Sequence, residues 1–281
     1  MSYFQVSGRN KNVPAARGPA CNPNRRYIVT KVEDKIFFDR IEGINRDIDE
    51  HLNKMELKKN FDTIDHPPLV DRMSSAGRCY RDRWAGFRGI PVDAVNVFKA
   101  PLLKIFSLGH AVEIEVVNLL NATPGYEVIA QQRTVGEGSW IGHIDGILIW
   151  NPSKRISKTQ SLLEIKSAKD KRWRMVKSIG YEAWNPPYSG QIQAYMKYIP
   201  EVKDAVVCVY NKDTSEMYWE RILEDKSSGI RLLEDHKIVV SESDSPPERP
   251  SQATSHGCKY CKYCSRNVWC WDPSTDARFD P

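Results

Sequence analysis

The chain has 281 residues, 41% of them hydrophobic, and a formal net charge of +5. That length holds one large domain or two small ones with a sizeable core, and the mild positive charge permits a nucleic-acid partner without requiring one. No run approaches a membrane span, Met1-Ser-Tyr-Phe-Gln5 lacks the apolar core of a secretory signal, and seven cysteines are too sparse for a disulfide scaffold. A cytoplasmic, reducing setting is therefore expected.

Residues 1–25 carry Gly, Pro, Asn and Arg without periodicity and read as a flexible arm. A helical region follows over 26–105. In its first part Phe37, Phe38, Ile41, Ile44, Ile48 and Leu52 recur at helical spacing within 35–60. Residues 72–88 then mix Cys79 with basic and aromatic side chains. Arg78, Arg81 and Arg83 could meet phosphates and Tyr80 or Trp84 could stack on bases; equally, the aromatics could pack inward and the arginines face water. A core over 106–240 opens with a helix containing residues 108–117.

Strands are expected near 127–132, 141–150 and 162–167, with 151–160 as a Ser-, Lys- and Asn-rich hairpin connection beginning Asn151-Pro152. Residues 168–179 place basic side chains around Trp173, either lining a groove or forming a solvated helix face. Asn185-Pro186-Pro187 breaks the chain before a helix carrying Gln191. Segments 205–211 and 217–222 read as a further hairpin, with Cys208 as a buried strand residue. A Ser/Pro/Glu/Asp-rich linker over 241–254 leads into a cysteine-rich segment, the two together covering 241–281.

The chemistry concentrates in two apolar runs, Gly142 to Trp150 with Asp145 inside it, and Leu162 to Ser167 with Glu164 and Lys166. Side chains alternate across a strand, so Glu164 and Lys166 share a face while Ile165 points into the opposite layer. An antiparallel hairpin would bring Asp145 beside Glu164. Two carboxylates and an ammonium at core-like positions are costly unless a ligand compensates, and a hard divalent cation such as magnesium or manganese would do so. Such a site could polarise a phosphodiester while Lys166 orients water or offsets negative charge.

This pattern resembles the PD-(D/E)xK nuclease superfamily, with Asp145 as the upstream acid and Glu164-Ile165-Lys166 as the E-x-K element; Ile144 stands where the literal motif has proline. Leu108 to Val117 resembles the helix that opens the RecB-like, CRISPR-associated-exonuclease-like subgroup, and Gln191 to Tyr195 matches its Q-x-x-x-Y element. The resemblance implies an α/β, restriction-endonuclease-like core: a mixed central sheet flanked by helices, with an N-terminal helical region and a C-terminal cysteine-rich cap. It implies metal ligation by His110, Asp145, Glu164 and the Ile165 carbonyl, with Glu113 a lower-ranked rival to His110. Lys166 would position water, and Gln191 and Tyr195 would contact the lysine or the substrate strand. The implied activity is an exonuclease on single-stranded DNA or DNA ends, leaving 5′-phosphates and 3′-hydroxyls, in a bacterial, archaeal or phage protein of repair or recombination. Arg81, Trp84, Lys169, Arg172, Trp173 and Arg174 would contact DNA; a second copy, a helicase or a recombination protein is the further partner. A binding module of this fold with weak or no cleavage is the rival class.

Cysteine spacing alone leaves two metal centres open. Cys258, Cys261, Cys264 and Cys270, with His256 as a further candidate, would suit tetrahedral zinc; Cys79 with Cys261, Cys264 and Cys270 would suit a four-iron, four-sulfur cluster. The C-x2-C-x5-C triplet and the distant fourth cysteine resemble the cluster-bearing members of the subgroup, so a structural 4Fe-4S cluster is the expectation. Cys258 is a departure from that pattern: were Cys258 and Cys261 to head the triplet, the last ligand would fall at Asn267.

Overall fold

A computed structural model of the chain describes residues 43–44, 46–59, 69–97, 99–150, 159–243, 245–258 and 260–272. The chain divides into two compact units, 1–46 and 47–281. The expected arm over 1–25, the first part of the helix expected over 35–60, and the loop 151–158 lie outside the described residues. Residues 47–59 are helical and form α1. Among the described residues no helix is long and apolar enough to cross a membrane.

The second unit is a mixed α/β fold. Its strands are β1 (Asp71–Arg72), β2 (Tyr126–Ile129), β3 (Thr134–Glu137), β4 (Trp140–His143), β5 (Gly146–Trp150), β6 (Thr159–Ala168), β7 (Asp204–Asn211) and β8 (Met217–Leu223). Its further helices are α2 (Tyr80–Phe87), α3 (Ala100–Ala122), α4 (Asp170–Ile179), α5 (Tyr181–Trp184), α6 (Pro186–Lys197), α7 (Lys226–Val239) and α8 (Asn267–Trp271). One sheet runs β2-β5-β6-β7-β8 and a smaller one β1-β4-β3. In the larger sheet β6 and β7 are parallel and the other neighbours antiparallel. A parallel neighbour demands a crossover; α4, α5 and α6 supply it. Asn185-Pro186-Pro187 does end one helix and start the next, because proline is favoured in a first turn and unfavourable in a helix interior.

Alternation along β6 separates two cores. Leu163 and Ile165 join Val112, Val116 and Val117 of α3 on one face. Leu162 and Ala168 join Trp173 and Val176 of α4 and Ile192, Ala194 and Tyr195 of α6 on the other. Helices thus flank the five-stranded sheet on both faces, the restriction-endonuclease-like arrangement the resemblance implied.

The structure corrects one strand. Residues 141–150, expected as a single strand, form β4 and β5 in different sheets, with Ile144 and Asp145 between them. Ile144 donates its N–H to Arg133 O at 3.1 Å, and Asp145 Oδ2 accepts the Ile165 N–H at 2.6 Å. The ladder between β5 and β6 ends at Gly146 and Leu163, so the Asp145 carboxylate takes a β6 donor just beyond the last paired residues. The break leaves Asp145 at the point where the chain changes sheets.

The cysteine-rich segment docks on α2 and residues 90–96. Arg266 Nε donates to Ile90 O at 2.6 Å and its guanidinium pairs with Asp82 at 3.1 Å. Asp93 accepts the N–H groups of Val268 and Trp269 at 2.7 and 3.1 Å, satisfying two donors in the first turn of α8 from a distant part of the chain.

Candidate active site

Glu164 is fully buried at the centre of β6. Its Oε1 accepts hydrogen bonds from Lys166 Nζ and from Gln191 Nε2, the latter at 2.9 Å. The Gln191 amide also lies 3.2 Å from the Tyr195 hydroxyl one turn later on α6. Four residues read from the sequence as two separate motifs are therefore one hydrogen-bonded group. Glu164 Oε2 is buried and has no hydrogen-bond partner among the described residues. A bare carboxylate oxygen inside a protein is unfavourable, and a cation is a natural counterpart for it.

Asp145 stands beside this group. Burial is the main influence pushing its carboxyl well above the ordinary range; Glu164 and Glu113 add to the shift and Lys166 opposes it. For Lys166 burial disfavours the ammonium, but Glu164 and Asp145 outweigh it and raise the lysine above its usual value. Lys166 is thus held charged, a donor rather than a base. Its Nζ lies 5.1 Å from the centre of the Tyr188 ring, in cation–π contact.

On α3 the side chains of His110 and Glu113 differ. His110 is 80% exposed, with Nδ1 3.7 Å from Glu113 Oε2. Glu113 is largely covered and accepts a hydrogen bond from Gln132 Nε2. Glu113, ranked below His110 on sequence, is the one of the two that enters the electrostatics of Asp145. It interrupts the buried stripe of Val112, Val116 and Val117, and an acid inside such a stripe is the sequence signal that marks it.

Gly142, three residues before Asp145, lies against this cluster. A Cβ there would stand 2.5 Å from Tyr195 Cε1 and 3.0 Å from Met73 Cβ. Gly142→Ala is expected to overpack the core by about 1–3 kcal/mol and to push Tyr195 away from Gln191. Urea unfolding of the variant checks the first effect; wild-type stability would show that the tyrosine yields freely.

Cys79, Cys261, Cys264 and Cys270 line one small cavity between α2 and the C-terminal segment, together with Tyr260, Trp269 and Trp271. Burial pushes the Cys79 and Cys264 thiols up and raises Cys261 to about 11. Cys258 is outside that lining and accepts the Cys261 N–H at 3.3 Å. Burial acts upward on its thiol, but backbone hydrogen bonds around the turn outweigh it and lower the thiol to about 6. Cys208 is buried within β7; Cys21 lies outside the described residues. Among the described residues no three His, Cys, Asp or Glu side chains are gathered as a site for a single metal ion.

Three expected DNA contacts need correction. Trp84 is fully buried; Arg81 is 2% exposed, lies over the Trp269 ring and donates to Pro247 O. Trp173 is 4% exposed and donates to Val209 O at 2.9 Å. These side chains pack the interior, because the α2 and α4 faces that carry them turn toward the core. Lys169, Arg172 and Arg174 are exposed, with Arg174 paired to Asp170 at 2.5 Å and Arg172 4.9 Å from the Trp184 ring centre.

No family model and no curated protein matches the chain. Among solved structures the chain is similar to an alkaline exonuclease, LHK-Exo, from Laribacter hongkongensis, at 12% identity and a TM-score of 0.45, covering 64% of this chain and 91% of that one. The same exonuclease in complex with dAMP gives a TM-score of 0.43 at 12% identity over the same shares. A structure of SSO0001 is similar at 16% identity and a TM-score of 0.42, over 80% of this chain and 96% of that one.

Proposed function

We propose that the chain is a metal-dependent nuclease that hydrolyses DNA phosphodiester bonds at ends or in single strands. The observation that supports this best is the divided state of Glu164: one oxygen is held by Lys166 and Gln191, while the other is bare and buried beside Asp145. This donor set would suit magnesium or manganese held by Asp145, Glu164 and the Ile165 carbonyl, with His110 or Glu113 as a further ligand, of which Glu113 is the largely covered one. A bound ion there would supply Lewis acidity toward a phosphoryl oxygen. Lys166, charged and fixed over Tyr188, would orient the attacking water, and Gln191 would keep Glu164 aligned with Tyr195 as its support. The exposed Lys169, Arg172 and Arg174 would attract the phosphate backbone.

We propose that the cavity lined by Cys79, Cys261, Cys264 and Cys270 holds a four-iron, four-sulfur cluster rather than zinc. A cluster takes one thiolate per iron and so spreads its ligands, whereas a single zinc draws four donors to a point. The zinc alternative would also need Cys258, which is not in that lining.

Labelled single- and double-stranded DNA, incubated with and without magnesium or manganese, tests the activity; no metal-dependent cleavage of either would end the nuclease reading. Iron, sulfide and zinc analysis after anaerobic purification tests the centre. Cys79→Ser is expected to lose iron and visible absorption, and Cys258→Ser to keep both. A colourless protein with one zinc, retained in Cys79→Ser and lost in Cys258→Ser, would establish the local zinc site instead.

A further inference from the structure

A second polar atom shares the condition of Glu164 Oε2: the Tyr181 hydroxyl is buried and has no hydrogen-bond partner among the described residues. Tyr181 opens α5 and has no exposed surface. Its position is fixed from three sides. Its N–H donates to Glu220 Oε2 at 2.8 Å, and its ring lies 5.8 Å from that of Trp184 and 6.5 Å from that of Tyr188, the ring beneath the Lys166 ammonium. The hydroxyl is within electrostatic reach of Glu164, Lys166 and Asp145.

Leaving either group bare in an interior is unfavourable, and both act on the Lys166 ammonium, Tyr181 through the ring of Tyr188 packed against it. Their chemistry is complementary. A carboxylate oxygen takes a cation or a donated proton, whereas a phenol O–H donates to an anionic oxygen. A phosphodiester accompanied by a divalent cation presents both, and the packed rings would hold the donor in place before the substrate arrives. Resting on the nuclease reading above, we propose that Tyr181 is a hydrogen-bond donor to the phosphoryl group bound beside Glu164, a part of the site outside the Asp145, Glu164, Lys166 and Gln191 motifs.

Tyr181→Phe removes only the hydroxyl. Without metal, the variant is expected to melt at or above the wild-type temperature, because no partner of the hydroxyl is lost. With metal and DNA, kcat is expected to fall by about 10²-fold, the typical cost of one preorganised donor, with KM little changed. A lowered melting temperature would make the hydroxyl a structural group, and an unchanged kcat would remove it from the reaction; either result overturns the proposal and leaves the nuclease reading standing. A wild-type protein that cleaves no DNA with either metal overturns both.

Discussion

Lys166→Ala is expected to reduce metal-dependent DNA cleavage by roughly 10²–10⁴-fold, the range for losing a positioned proton donor or electrostatic group. Some loss of stability should accompany it, since the fully buried Glu164 keeps the Gln191 hydrogen bond at 2.9 Å but loses its ammonium partner. Cation binding should move the other way. Removing an ammonium that contacts Glu164 takes a positive charge away from the place where a cation would sit, so manganese affinity should rise or hold while turnover falls. Calorimetric titration with manganese, circular dichroism and single-turnover cleavage separate these effects. Equal cleavage by variant and wild type would remove Lys166 from the reaction; loss of manganese binding would mean that it organises the carboxylates instead. Arginine should not rescue turnover, because a larger planar guanidinium cannot reproduce the compact ammonium that donates to Glu164.

The largest expected effect on stability lies away from the site. Asp71 of β1 is 3% exposed and binds Arg83 of α2 with both oxygens, at 2.9 and 2.5 Å, while His236 Nδ1 of α7 lies 2.8 Å from Oδ2. The His236 ring stacks on Trp140 of β4 with centroids 5.0 Å apart. One carboxylate therefore joins two helices to the smaller sheet. Asp71→Asn keeps the shape and removes the charge, leaving the buried Arg83 guanidinium with the Ala76 carbonyl at 3.1 Å. A buried pair broken from one side costs about 3–5 kcal/mol, and urea unfolding at pH 7 should show a loss of that order.

The same contact predicts a pH dependence. Burial pushes the Asp71 carboxyl up, but hydrogen bonds with His236 and Arg83 outweigh it and hold the group below its ordinary range. A carboxylate depressed in the folded state contributes fully above its unfolded value, about 3.9, and loses that contribution as pH falls through the folded value. The gap between wild type and Asp71→Asn should be level near neutrality and narrow below about pH 4. A gap of the same size at pH 2.5 as at pH 7 would show that the charge is not what stabilises the contact.

Much of the site was legible because its signals are local. Glu164 and Lys166 could be placed on one strand face by counting in twos, and Gln191 and Tyr195 on one helix face by counting in fours. The hydrogen bonds that unite them follow from those faces meeting. Other residues were less legible. Period-2 alternation says nothing about a strand changing sheets, so the break at Asp145 was hidden in a continuous apolar run. Basic and aromatic composition does not say which side of a helix turns inward, so the choice of Arg81, Trp84 and Trp173 as DNA contacts fell on side chains that are core. Tyr181 carries no motif, and its bare hydroxyl emerges only from its packing.

By itself the sequence determined the mixed α/β class, most of the strands, the shared face of Glu164 and Lys166, and the Gln191–Tyr195 pair, because alternation and helical period are properties of a few consecutive residues. Tertiary structure alone decided that Glu113 is largely covered while His110 is exposed, that Cys79 lines a cavity with Cys261, Cys264 and Cys270, and that Asp71 meets a histidine 165 positions away. Each of those outcomes depends on which faces the core buries against one another, and no local pattern in the chain carries that information.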